Sequence, residues 1–191
     1  RPTLLRRGKS TAFVSVDLTG EAGLATRALL CFGAPRAATL SHPAQRATAV
    51  PPPDKCEDFF RYAGPHLKFT QHFDGRLAAG LPPFSRSGAP DMTLWLRHRD
   101  DRLEPAIVPL LALADAPPPA SFVLFETFAP ISTMTWAVDV LTEELTTEDG
   151  WWLVRTSADH AAHGYSGQTM SIWNAQGEPV LAARQNVAVF V

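Results

Sequence analysis

Gly164-Tyr165-Ser166-Gly167-Gln168 runs on to Ile172-Trp173-Asn174, and then through Leu181-Ala182-Ala183-Arg184-Gln185 to Val187-Ala188-Val189-Phe190. Two β-rich runs flank the turn Ala175-Gln176-Gly177-Glu178, which predicts a pair of antiparallel strands. A degraded copy lies near the start of the chain. There Gly8-Lys9-Ser10 opens a strand (Phe13, Val14, Val16, Leu18), a turn follows, and Leu24-Ala25-Thr26-Arg27 comes next. Leu-Ala-x-Arg ends both copies, and an internal repeat bears on architecture before any single residue bears on chemistry. The copies differ at one telling place: Gln185 in the second stands where the first has Ala28. A polar side chain on only one of two related strands is a candidate for function.

The 191 residues are 46% hydrophobic and 19% charged, with a net charge of -2, so a globular chain with a real core is expected. That balance gives no basic field for nucleic acid or anionic lipid. Cys31 and Cys56 are too few for a disulfide framework or a zinc site. Cys31, in an apolar strand, is expected to be a small buried hydrophobe. No apolar run approaches the ~20 residues that span a bilayer, and no secretory leader is evident. A reducing cytoplasm is therefore the default compartment.

Residues 1–35 hold strand, strand, turn and strand. Residues 36–66 read as a linker because Pro43 and Pro51-Pro52-Pro53 favour extended chain. Residues 67–191 form the second unit. In it a strand is expected over Met92–His98, with Met92, Leu94, Leu96 and His98 on one face and Thr93, Trp95 and Arg97 on the other. A helix is expected from Pro105 to Ala116, stopped by Pro117-Pro118-Pro119. It is apolar almost all round, which calls for a sheet to wrap it. Strands over Ser132–Leu141, Trp151–Ala158, Tyr165–Trp173 and Val180–Val191 follow as an antiparallel meander. The class is α+β.

A long apolar helix wrapped by an antiparallel sheet resembles the hot-dog fold. Two such units on one chain resemble the double hot-dog of the acyl-CoA thioesterase II (TesB-like) family. The residues carrying the resemblance are Leu113-Ala114-Asp115-Ala116, Pro130-Ile131-Ser132-Thr133-Met134-Thr135-Trp136, Trp151-Trp152-Leu153, Gly164-Tyr165-Ser166-x-Gln168 and Arg184-Gln185. On this resemblance residues 1–35 are the tail of a first unit that lacks its leading strand and helix.

The resemblance implies hydrolysis of an acyl-CoA thioester to free acid and CoA by a water that an Asp, a Thr or Ser, and a Gln hold and activate. No cofactor or metal is implied, and a homo-oligomer of double hot-dogs is. Carried over residue by residue, the Gln falls on Gln185. The family's Asp position falls on Thr133, or on Ser132 if the register slips by one, which is a departure because a hydroxyl is no general base. The Thr position falls on Asp159, so the two residue types have exchanged places. Ser166, Gln168 and His160 are the expected substrate-binding residues.

Trp136, Trp151 and Phe125 could line an acyl tunnel beside the helix, and Arg97, Arg99, Arg102 and Arg155 are candidates for the CoA phosphates. His160 and His163 lack a third metal ligand at suitable spacing. Gly8-Lys9-Ser10-Thr11 and Gly164-Tyr165-Ser166-Gly167-Gln168 only resemble a phosphate loop and a nucleophile elbow, since a strand rather than a helix follows each. Two rival readings are a hot-dog acyl-CoA hydratase using Asp101 and His98, and a binding module with a decayed site.

Overall fold

The computed structural model describes residues 1–63, 67–86 and 88–190; the linker's last three residues and the final Val191 of the expected last strand lie outside them. Two compact units divide at Pro43 and Ala44.

The first unit is a three-stranded antiparallel sheet of β1 (Pro2–Arg7), β2 (Thr11–Gly20) and β3 (Gly23–Gly33). Gly8-Lys9-Ser10 is the β1–β2 turn, closed by Gly8 N–H to the Thr11 carbonyl at 2.8 Å. Arg27 lies opposite Asp17 in the register and forks onto its carboxylate at 2.6 and 2.8 Å, which lowers the Asp17 pKa. Leu24, Leu29, Leu30 and Phe32 are all exposed on β3. Cys31 shares that exposure, which corrects the expectation of a buried thiol: apolar composition marks the strand, but nothing in the unit covers it.

The second unit holds β4 (Glu57–Asp58), β5 (Phe73–Gly80), β6 (Asp91–His98), α1 (Ile107–Ala114), β7 (Ile131–Val140), β8 (Trp152–Ala162), β9 (Tyr165–Trp173) and β10 (Pro179–Val189). Its seven-stranded sheet runs β4-β5-β6-β8-β9-β10-β7. The meander is thus β8-β9-β10, joined at one end by the two-residue turn His163-Gly164, whose φ values of 54° and 78° suit a tight hairpin. β7, expected at the head of the meander, instead crosses over to the far edge and pairs with β10.

The main core lies on one face of the sheet, where Leu110, Leu113 and Ala114 of α1 meet Met92, Leu94, Leu96, Val154, Ile172 and Leu181. This is the helix-side face. The alternation expected in 92–98 holds, and the opposite face is covered too. There Trp95, Leu153 and Trp173 pack under Ala47, Val50 and Cys56. The indole N–H groups of Trp95 and Trp173 each donate at 2.8 Å, to the Pro51 and Gln45 carbonyls, and fasten residues 45–51 across that face. Both faces buried explain why β6 is so apolar.

The helix is shorter and wetter than expected. Ala106 is extended, so the helix starts at Ile107, and the Leu110 N–H to the Ala106 carbonyl is its first bond. Pro109 sits in the first turn, where its missing N–H costs nothing. Val108 is 72% exposed, so α1 packs on the sheet by one stripe and is not wrapped all round. Among the described residues no helix is long and apolar enough to cross a membrane.

Candidate active site

Directly opposed residues in a sheet share a face, so the register sorts the candidate residues. Gln185 of β10 faces Gln168 of β9 on one side and Trp136 of β7 on the other, and Gln168 faces Ala158 of β8. Ala158 and Trp136 pack against the main core, so this whole row is on the helix-side face. Val187 likewise faces Ser166 and Thr133. β7 carries one extra residue between Thr133 and Thr135, a bulge that leaves Met134 unpaired and 59% exposed. The bulge sets Thr133 and Trp136 on the same face, although three positions separate them.

The result is a polar pair. Gln185 Nε2 donates to Thr133 Oγ1 at 2.8 Å. Having accepted that bond, the Thr133 hydroxyl keeps its proton to donate, and the Gln185 carbonyl oxygen keeps its lone pairs to accept. One donor and one acceptor side by side suit a single water. The apolar wall next to the pair is Phe122, Phe125, Val187 and Val189, with Phe84 packed on it.

Ser166 and Gln168 are buried on the same face. Ser166 Oγ donates to the His160 carbonyl at 3.0 Å, a bond within the strand pair that also removes it as a nucleophile. Gln168 Oε1 accepts the Ala120 N–H at 2.5 Å, from the single turn of 3-10 helix at Ala120–Leu124.

Asp159 and His160 fall on the other face. The Asp159 carboxylate pairs with Arg184 at 3.1 Å and accepts from Thr169 Oγ1 at 3.5 Å, and Arg184 and Thr169 are opposed neighbours pointing away from α1. The His160 ring lies across Gly167, where an added Cβ would come within 2.9 Å of its Cε1. The structure therefore joins Gln185 to Thr133, sets Gln168 and Ser166 beside them, and does not bring Asp159 or His160 to them. Arg27 and Arg184 occupy matching places in the two copies of the repeat, and each holds a carboxylate.

The other expected groups are committed elsewhere. Arg97 and Arg99 share Asp74 at 2.9 and 3.1 Å, Arg102 holds Asp100 at 2.9 Å, and Arg155 holds Asp91 at 2.6 Å. Arg102 holds the Asp100 pKa down to about 2. Trp151 packs on the face away from α1, under the Arg97 guanidinium at 4.6 Å, so it is no part of a helix-side tunnel. Tyr165 is 56% exposed. His98 Nε2 lies 2.8 Å from the Pro109 carbonyl, so that nitrogen carries the proton and is a donor, in a cavity of about 630 Å³ at the start of α1. Among the described residues no group of three or more His, Cys, Asp or Glu could hold a metal.

Sequence reading missed Thr156 and Ser121, both buried on the helix-side face or in the turn over it. Alternation from Trp152 and Val154 through Thr156 was the available signal for the first. Nothing in the sequence marks the second.

The family model of the acyl-CoA thioesterase C-terminal domain matches residues 46–189. No curated protein matches the chain. A conserved protein of unknown function with hot-dog fold from Alicyclobacillus acidocaldarius is 24% identical with a TM-score of 0.84, covering 100% of this chain and 72% of that one. A thioesterase described as putative from Novosphingobium aromaticivorans is 19% identical at a TM-score of 0.79, with the same coverage of 100% and 72%. The acyl-CoA thioesterase II TesB2 from Mycobacterium marinum is 19% identical at a TM-score of 0.72, over 99% and 72% of the two chains. These likenesses show the hot-dog fold.

Proposed function

The chain belongs to the family of the acyl-CoA thioesterase C-terminal domain, and from that membership we propose that it hydrolyses acyl-CoA thioesters to a free acid and CoA. The observation that carries the proposal is the Gln185–Thr133 hydrogen bond at 2.8 Å on the helix-side face of the matched domain. The pair holds one water by an amide oxygen and a hydroxyl proton. That water attacks the thioester carbonyl carbon, a C–O bond forms, the C–S bond breaks, and the water's lost proton ends on the departing sulfur. Because a thioester is an activated acyl group, positioning supplies much of the rate. The apolar wall of Phe122, Phe125, Val187 and Val189 takes the acyl chain.

Asp159 enters this reading as a positioning residue only. Its pair with Arg184 ties β10 to β8 across β9, one residue from Gln185. Both partners are substantially exposed, and such pairs contribute about 0–1 kcal/mol. Asp159→Ala is therefore expected to lower kcat by no more than about fivefold, whereas loss of a general base costs roughly 10²–10⁴-fold. Steady-state thiol release on the two proteins separates these outcomes.

A second reading draws on the same geometry. With Thr133 at the family's Asp position and Asp159 facing away, the unit would bind acyl-CoA without turning it over. The hydratase reading loses support because His98 spends its Nε2 proton on the Pro109 carbonyl. Incubation with saturated and enoyl-CoA substrates decides among the three. Thiol release supports hydrolysis, loss of enoyl absorbance without thiol supports hydration, and binding without either supports the binding module. Pairing of two chains through sheet edges remains part of the proposal, and sedimentation of the protein tests it.

A further inference from the structure

Three buried polar groups on or over the helix-side face have no hydrogen-bond partner among the described residues: Gln168 Nε2, Thr156 Oγ1 and Ser121 Oγ. Gln168 is 4% exposed, Thr156 3% and Ser121 0%. They belong together. Ser121 follows Ala120, whose N–H binds Gln168 Oε1. Thr156 opposes Met170, so it lies diagonally across from Gln168 on the same face. Buried polar groups are almost always paired, and a cluster of orphans calls for an explanation.

Gln168 is the most defined of the three. Its carbonyl oxygen is anchored by Ala120, which leaves the two N–H donors of Nε2 unpartnered on the side chain that lies opposite Gln185. Opposed residues on a sheet face lie about 5 Å apart. In a thioester under attack, the incoming water oxygen sits roughly 3–3.5 Å from the carbonyl carbon, and the carbonyl oxygen projects beyond it. Two amides on one opposed pair thus match the two oxygens of the reaction.

We propose that Gln168 is a catalytic residue, its Nε2 donating to the thioester carbonyl oxygen as negative charge develops there. This rests on the hydrolase reading above. When the water's oxygen bonds to the carbonyl carbon, the π pair moves to the carbonyl oxygen and the Gln168 N–H meets it. When that pair returns, the C–S bond breaks and the sulfur leaves with its electrons and takes the proton. A donor held in a dry, pre-set position strengthens this contact. The 120–124 turn lies over Gln168 and is held by Phe84 N–H to the Phe122 carbonyl at 2.8 Å and Arg86 N–H to the Val123 carbonyl at 2.9 Å. With the Ala120–Gln168 bond kept, the carbonyl oxygen enters beneath this turn from the side of Gln185. Phe84 and Arg86 both have positive φ, 67° and 60°, a backbone state that non-glycine residues hold at a cost.

The test pairs kinetics with a spectroscopic readout. Gln168→Met is expected to lower kcat for acyl-CoA hydrolysis by roughly 10²–10³-fold. KM should change far less than kcat, because the contact is already made to the bound thioester and strengthens as charge develops on its oxygen. In a Gln185→Leu background, which keeps the thioester intact, infrared difference spectra of bound acyl-CoA labelled with ¹³C at the carbonyl should show its stretch moved to lower frequency. That movement should vanish when Gln168→Met is added. A Gln168→Met protein with wild-type kcat, or a carbonyl stretch unmoved while Gln168 is intact, overturns the assignment. If the wild-type chain releases no thiol at all, the hydrolase reading fails, and the kinetics then show that separately from any failure of Gln168.

Discussion

Gln185→Leu is expected to reduce thioester turnover by at least about 10²-fold, with the protein still folded. Leucine keeps the volume and removes both polar atoms. Thr133 loses the N–H it accepts, and the water loses the carbonyl oxygen that orients it. Positioning and hydrogen-bond stabilisation of this kind are worth roughly 10²–10³-fold per group in comparable sites. Stability should barely move, because Gln185 is only half-buried and Thr133 is exposed and can bond to solvent. Thermal melting beside thiol-release kinetics checks both halves, and unchanged turnover in a folded variant would remove Gln185 from the chemistry.

Gly80→Val should have the largest effect on folding. Gly80 ends β5 opposite Met92 of β6 with φ at 86°, and a Cβ built there falls 2.2 Å from the Asp91 carbonyl oxygen. The clash is with backbone, so no rotamer relieves it, and a β-branched residue is strained at positive φ. Either β6 moves away from β5 or the end of the ladder opens. Met92 and Leu94 lie just beyond in the core, so the damage spreads. The expected cost is on the order of 4 kcal/mol, in the range reserved for severe single substitutions. For a unit of this size that lowers Tm by about 10 °C. A melt within a few degrees of wild type would show that the β5–β6 edge gives way easily.

Much of the fold was legible because period and punctuation act locally. Alternation over Met92–His98, the turn at Ala175–Glu178 and the stop at Pro117-Pro118-Pro119 each specify their own element. The Leu-Ala-x-Arg repeat marked β3 and β10, the third strands of two similar meanders. What the pattern could not carry was covering. Cys31 and Val108 are apolar and exposed because burial depends on which other element arrives, and composition does not record that.

The site shows the same division. Gln185 and Thr133 were both named from the sequence, but their meeting depends on the bulge at Met134, which switches the side-chain alternation within β7 and leaves no sequence mark. Asp159 was different. Counting alternately from Val154 puts Thr156 and Ala158 toward α1 and Ser157 and Asp159 away from it, so its outward position was readable. The motif match drew attention to its type and not to its parity. Gln168 was named as a substrate-binding residue, and its unpaired Nε2 became visible only once Ala120 was seen to hold its oxygen.

One measurement bears most directly on the claim that a water held by Gln185 and Thr133 cleaves the thioester. The protein is mixed in molar excess with an acyl-CoA in H₂¹⁸O, and thiol, free acid and intact protein are followed by mass spectrometry through a single turnover. Direct attack by the held water gives one thiol and one singly ¹⁸O-labelled acid per acyl-CoA consumed, with no acylated protein at any time. Acyl-CoA that binds and stays intact, or a covalent acyl-protein that precedes the acid, would contradict it.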